Sequence, residues 1–170
     1  GDAEHSRRRA ALLAGERVRP IAWTIAGSDS GGGAGIQADL KAMNALGVHA
    51  CTVITAITAQ NPERVRAIEL VSEPMIREQL EALKESLLPR AVKTGMLGSD
   101  GIASRVAEAL ENLDAFVVCD PVLVATSGAR LSEVHSPARL FARADLVTPN
   151  LVEADALEKA GLWRFKRALV

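Results

Sequence analysis

The stretch GSDSGGGAGIQADLK, residues 27–41, decides how this chain is read. Four glycines fall within positions 31–35, directly after the apolar run IAWTIAG and directly before a segment with helical spacing. Glycines in a strand-to-helix turn let the backbone come close to a ligand, and the helix behind them aims unpaired N–H groups at the turn. Two common versions of such a loop fail on their own chemistry. A phosphate loop needs a lysine after its last glycine, but Gly35 is followed by Ile36 and Gln37. The dinucleotide fingerprint G-x-G-x-x-G, counted from Gly31 and Gly33, meets Ile36 where its last glycine belongs. What remains is a glycine turn flanked by Asp29 and Asp39. Two carboxylates repel a polyphosphate and suit a small neutral ligand that offers hydrogen-bond donors. Spacing places Asp39 in the first turn of the helix, where the dipole favours its charged form; decoration of a helix start is the competing reading.

Working outward, short apolar runs alternate with amphipathic segments. IAWTIAG (21–27) reads as a buried strand, and GIQADLKAMNALG (35–47) as a helix with Ile36, Leu40, Met43 and Leu46 on one face and Gly47 as its stop. ACTVITAITAQ (50–60) is β-branched and strand-like, and RVRAIELV (64–71) reads as a short strand. A helix follows over 73–88 with Ile76, Leu80, Leu83 and Leu87 inward. AVKTGML (91–97) is a strand ending in a glycine turn. The helix at 100–113 turns Ile102, Val106, Ala109 and Leu113 inward, and AFVVCDPVLV (115–124) is a continuous apolar strand running into ATSG (125–128). A short helix over 136–144, a strand in DLVTPN (145–150) and a helix over 150–161 complete the pattern. Strands apolar on both faces, alternating with helices, define an α/β fold: a mostly parallel sheet with helices on both faces.

In such sheets ligands bind beyond the carboxyl ends of the strands. The polar residues gather there: the glycine turn, Gln60 and Asn61, Gly95 and Met96, 120–128 and 148–153. Gln60 ends its strand, and its amide offers a donor and an acceptor side by side, matching the edge of an aminopyrimidine; a strand-end glutamine in solvent is equally compatible. Lys93 reads as a strand lysine reaching solvent rather than as a phosphate contact.

Composition narrows the class. The chain has 170 residues, a net charge of -1 and 48% hydrophobic residues, with 3% aromatics and no tyrosine. That balance carries no polyanion-binding surface and no base-stacking platform, so no nucleic-acid partner is expected. No apolar stretch approaches the roughly 20 residues needed to cross a bilayer. Cys51 and Cys119 lie in apolar runs and read as buried free thiols of a reducing cytosol. Residues 1–19 pair an arginine cluster with an apolar run too short for a secretory signal and read as a flexible arm; residues 20–170 form the domain.

Five blocks carry more than physics: TIAGSDSGGGAGIQADLKAMNALG, VITAITAQN, VKTGML, DPVLVATSG and LVTPNLVEA. In their order and spacing the chain closely resembles the hydroxymethylpyrimidine and phosphomethylpyrimidine kinases of thiamine biosynthesis, within the ribokinase-like superfamily that also holds the pyridoxal kinases. The resemblance runs from about residue 21 to 157. It implies a cytoplasmic enzyme, commonly a homodimer, that uses ATP and Mg²⁺ to phosphorylate 4-amino-5-hydroxymethyl-2-methylpyrimidine or its monophosphate. Gly27, Asp39, Gln60, Met96 and Val122 match positions lining the pyrimidine pocket, with Met96 a soft apolar wall. Asp120 matches a position near metal and phosphates. Asn150 and Glu153 match an N-x-x-E element that organises Mg²⁺ and its waters.

The pattern stops short in one respect. The superfamily's glycine-rich anion-hole segment, which opens a late helix and carries the residue that activates the attacking hydroxyl, has no counterpart after Leu157, so no catalytic base is assigned. Thr126 stands where some relatives carry lysine. The sequence represents part of a longer kinase, or a short protein that keeps a pyrimidine pocket without the transfer machinery. A pyridoxal kinase and a non-catalytic pyrimidine-binding module are therefore the competing functions.

Overall fold

The computed structural model describes residues 19–122, 138–159 and 161. Its elements are β1 (Ile21–Asp29), α1 (Gly35–Ala45), β2 (His49–Asn61), β3 (Arg64–Leu70), α2 (Glu73–Ser86), β4 (Ala91–Thr94), α3 (Asp100–Leu110), β5 (Phe116–Cys119), α4 (Ala138–Arg143), β6 (Leu146–Val147) and α5 (Leu151–Lys159). One sheet runs in the order β3-β2-β1-β4-β5-β6. All neighbours are parallel except β3, which pairs antiparallel with β2 at the edge. The α/β architecture expected from the alternating pattern is the one observed.

The sheet's two faces differ. On one, Trp23, Ile25, Val53, Val92, Val117 and Val147 pack against Ile76 and Leu80 of α2, Ile102 and Val106 of α3, Leu140 and Phe141 of α4 and Leu157 of α5 in a single core. Burial of side chains this size contributes about 1.5–3 kcal/mol each, which is what holds the layer together. The indole N–H of Trp23, fully buried, donates to the Leu87 carbonyl at 2.8 Å, so its one polar atom is satisfied. On the other face α1 packs against β1 and β2. The face expected to be inward on α1 is only partly so. Ile36 is buried, Leu40 and Met43 are half-buried and Leu46 is 82% exposed.

Helix ends follow local chemistry. Ser99 caps α3 by accepting from the Ile102 N–H, and Pro74 occupies the first turn of α2, where a missing N–H costs nothing. At the close of α1 the chain turns through Gly47 at φ 75°, the left-handed stop that its position suggested. The apolar run at 115–124 forms a shorter strand than its composition suggests. Pairing ends at Cys119, and Val122 N–H turns back to the Asp120 carbonyl around Pro121, which has no N–H to give a ladder. Residues 1–18, with nearly all of the proposed arm, and ATSG including Thr126 lie outside the described residues. Cys51 and Cys119 are buried free thiols, and burial pushes Cys119 up to about 12, which favours the thiol over the nucleophilic thiolate.

Candidate functional site

A cavity of about 280 Å³ opens at the carboxyl ends of β1, β2, β4 and β5. It sits where the central strand β1 leads into α1 on one side and pairs with β4 on the other. Six of the residues singled out in the sequence line it together: Gly27, Asp39, Gln60, Met96, Asp120 and Val122. Those positions are up to 95 residues apart in the chain, and only parallel strands ending at one level bring them to one place.

The glycine turn is built by its own aspartate. Asp29, 6% exposed, accepts from Gly31 N–H at 2.7 Å through Oδ1, and from Gly33 at 3.0 Å and Ala34 at 2.8 Å through Oδ2. This corrects the expectation that Asp29 is a second carboxylate for a ligand: three loop amides consume it. Gln37 completes the frame, accepting from Asp29 N–H at 2.8 Å and donating to Ser28 Oγ at 2.7 Å. Gly35 has no substitute here. Its φ is 55°, and a Cβ would overlap the Gly27 carbonyl oxygen. Helix α1 therefore starts in contact with β1 backbone, and the cavity wall at Gly27 is bare main chain.

Asp39 lies in the second turn of α1, which begins at Gly35, rather than in the first. The helix dipole is correspondingly weaker there. Its charge is held instead by Thr24, which donates at 2.6 Å, and by Lys93 at 3.1 Å, both to Oδ2. Oδ1 has no partner among the described residues, so the carboxylate keeps an acceptor for a ligand. Gln60 is pinned by its backbone: its N–H donates to Ser30 Oγ at 2.8 Å, and that hydroxyl donates back to the Gln60 carbonyl at 2.7 Å. Its side-chain amide makes no hydrogen bond among the described residues. Met96 sulfur would lie 3.5 Å from a Cβ at Gly27, so the thioether covers that glycine as an apolar wall.

Lys93 is the residue that spacing misplaces. Its side chain is 24% exposed, lines the cavity, and reaches Asp39 at 3.1 Å and Asp120 at 3.4 Å, instead of projecting into solvent. Strand alternation could have placed it on the α1 face beside Thr24, its register partner. Only the fold shows that two carboxylates wait there. Burial holds the Asp120 carboxyl above the usual carboxylate range, with Lys93 pulling in the opposite direction.

Asn150 and Glu153 do not line the cavity. They sit beyond β6, which is anchored to β5 by Thr148 N–H donating to the Cys119 carbonyl at 3.0 Å. Each caps the other: Asn150 N–H donates to Glu153 Oε2 at 3.0 Å, and Glu153 N–H to Asn150 Oδ1 at 2.9 Å. This reciprocal box satisfies two amides at the start of α5. No group of three His, Cys, Asp or Glu side chains surrounds a common point among the described residues. The oxygen donors of Asp120, Asn150 and Glu153 at neighbouring strand ends still suit Mg²⁺. That ion keeps several waters and needs only one or two carboxylates when phosphates supply the rest.

A small, mainly apolar cavity at strand ends, with a carboxylate, an amide and a glycine turn in its wall, has the place and make-up of a small-molecule site in α/β folds. Residues 29–166 match the family model of the phosphomethylpyrimidine kinases, and the chain belongs to that family. It is 49% identical over 138 residues to the hydroxymethylpyrimidine/phosphomethylpyrimidine kinase of Rhizobium meliloti (strain 1021), covering 79% of this chain and 52% of that one. The crystal structure of phosphomethylpyrimidine kinase from Clostridium difficile 630 superposes with a TM-score of 0.75 at 42% identity, over 83% of this chain and 63% of that one. Pyridoxal kinase from Staphylococcus aureus in complex with AMP-PCP and pyridoxal gives 0.73 at 35% identity, over 84% and 52%. The fold is thus ribokinase-like, as the resemblance implied. The chain spans about half the length, or less, of the curated relatives it matches. No helix among the described residues is long and apolar enough to cross a membrane.

Proposed function

We propose that this chain supplies the acceptor-binding half of a kinase that transfers the γ-phosphoryl group of ATP to 4-amino-5-hydroxymethyl-2-methylpyrimidine or to its monophosphate, in the cytoplasmic synthesis of thiamine. The observation that carries the reading is that Asp39 and Gln60, from different elements, line one cavity of about 280 Å³, each with a polar group left unpaired by the described residues. An aminopyrimidine edge presents an amino donor beside a ring-nitrogen acceptor. A carboxylate and an amide match that pair, while Gly27, Met96 and Val122 take the ring's flat faces and rim.

In this reading Asp39 accepts from the exocyclic amine and Gln60 fixes the ring's register. The hydroxymethyl oxygen is thereby held at the β4–β5 side, where Asp120 stands. Phosphoryl transfer depends chiefly on such positioning together with charge stabilisation. Asp120 and the Asn150–Glu153 pair would hold Mg²⁺ brought in with the nucleotide, which would there neutralise phosphate charge. Use of ATP is supported by the AMP-PCP bound to the related pyridoxal kinase.

Pyridoxal is the second candidate, because the cavity's relatives include pyridoxal kinases. Pyridoxal lacks the amino donor that Asp39 is placed to accept. Titration calorimetry with the aminopyrimidine and with pyridoxal separates the two. Tighter binding of the aminopyrimidine, weakened about tenfold or more in Asp39→Asn, is expected from loss of one charge-assisted hydrogen bond. Preference for pyridoxal, or indifference to Asp39→Asn, would sink the assignment. A thermal shift with pyrimidine and none with ATP and Mg²⁺ would instead mark a binding module without transfer activity.

A further inference from the structure

We propose that Lys93 is the residue that admits the phosphorylated acceptor: its ammonium turns from Asp120 to the phosphate of an aminopyrimidine monophosphate, making it the specificity determinant between charged and neutral ligands. The inference rests on the function proposed above and adds a role for a side chain that the aminopyrimidine ring itself does not require.

The first support is charge. Three aspartates and a single lysine line the cavity, and no other cation does so among the described residues. A neutral hydroxymethylpyrimidine can enter such a site on hydrogen bonds alone. A phosphate carrying nearly two negative charges cannot approach Asp39 and Asp120 without a counter-charge between them. Lys93 already stands there, 3.1 Å from one carboxylate and 3.4 Å from the other.

The second support is that Asp39 does not depend on the ammonium alone. Asp39 accepts from Thr24 at 2.6 Å as well as from Lys93, so it stays partnered as the ammonium turns. Asp29 is hydrogen-bonded separately by its three loop amides and does not draw on the lysine. The contact to Asp120 is the longer of the two and is the one to exchange. Lysine suits this better than arginine, because its compact ammonium sits on a flexible stem and bonds in any direction.

The third support is the space reserved for it. A Cβ at Gly95 would sit 3.1 Å from Lys93 Nζ and 3.1 Å from the Ala26 Cβ, so glycine at that position leaves room beside the ammonium.

The test is calorimetric titration of the wild-type chain, Lys93→Met and Lys93→Arg with hydroxymethylpyrimidine and with its monophosphate, each variant's fold being checked by circular dichroism. Lys93→Met is expected to lower the monophosphate-to-alcohol affinity ratio about tenfold or more, the scale of one charge-assisted hydrogen bond. Lys93→Arg is expected to recover part of the monophosphate affinity. Equal loss of both ligands in Lys93→Met would overturn the assignment and leave the function standing. So would unchanged monophosphate binding. If Lys93→Met does not fold, Lys93→Arg decides alone: a change in the monophosphate-to-alcohol affinity ratio supports the role, and an unchanged ratio overturns it. Failure of the wild type to bind either ligand would remove both the function and this role.

Discussion

The Thr24 hydroxyl donates to Asp39 Oδ2 across 2.6 Å, tying a fully buried strand residue to a carboxylate that lines the cavity. Nothing else in β1 reaches α1 with a charged partner. Together with the Gln37 hydrogen bonds to Ser28 and Asp29, the bond fixes where α1 lies over the sheet and where Asp39 stands in the cavity wall.

Removing that hydroxyl isolates the bond's worth. Thr24→Val keeps the shape of the side chain and leaves Asp39 with Lys93 alone. A loss of about 1.5–3 kcal/mol in unfolding free energy is expected, the usual range for a hydrogen bond to a charged group. Urea denaturation at constant m-value measures it. An unchanged midpoint would show that the bond contributes nothing.

Asp29 governs the turn rather than the ligand. In Asp29→Ala three amides lose their acceptor at once. The amides of Gly31, Gly33 and Ala34 are expected to exchange with solvent far faster, while core amides of β1 such as Ile25 keep most of their protection. Uniform loss of protection along the whole chain would mean that the turn is not an independent unit.

Two glycines with left-handed backbones offer an internal comparison. Gly35→Ala and Gly47→Ala both incur the left-handed penalty of about 1–2 kcal/mol for a residue with a Cβ. At Gly47 no atom lies within 4 Å of the added methyl, whereas at Gly35 it meets the Gly27 carbonyl. The first variant is expected to fold with that penalty alone. The second should be clearly less stable and should lose ligand binding, because α1 must move off β1. Equal melting temperatures for the two would contradict the close approach.

Asp120 gives a pH dependence of definite sign. Its folded carboxyl is held above the ordinary value, chiefly by burial, so the folded chain binds its proton more tightly than the unfolded chain does. Its contribution to stability is therefore fully present below about pH 4, the ordinary aspartate value, and is lost as pH rises through the raised folded value. Asp120→Asn removes this term. Relative to the variant, the wild type is expected to weaken as pH rises from about 4 toward neutrality, followed by denaturant midpoints across that range. A gap independent of pH would show that Lys93 fully offsets the burial.

Much of this was open to a reader of the chain alone. The glycine turn, the alternation of strands and helices, and Gly47 as a helix stop are local signals, set by backbone sterics and side-chain periodicity within a few residues. Gly27, Gln60, Met96 and Val122 were legible as cavity positions because parallel strands end at one level, where polar residues and glycines replace apolar ones.

Lys93 and Asp29 were not legible in that way. Whether a charged side chain meets solvent, a ligand or a partner depends on groups brought near it from distant elements. The lysine's two carboxylates come from α1 and from the end of β5. The aspartate's partners are amides whose directions exist only once the turn has closed. Local spacing by itself determined which elements form and where the site must open. Tertiary structure alone decided which charges neutralise one another there, because Coulomb attraction and hydrogen bonding act over a few ångströms of space whatever the separation along the chain.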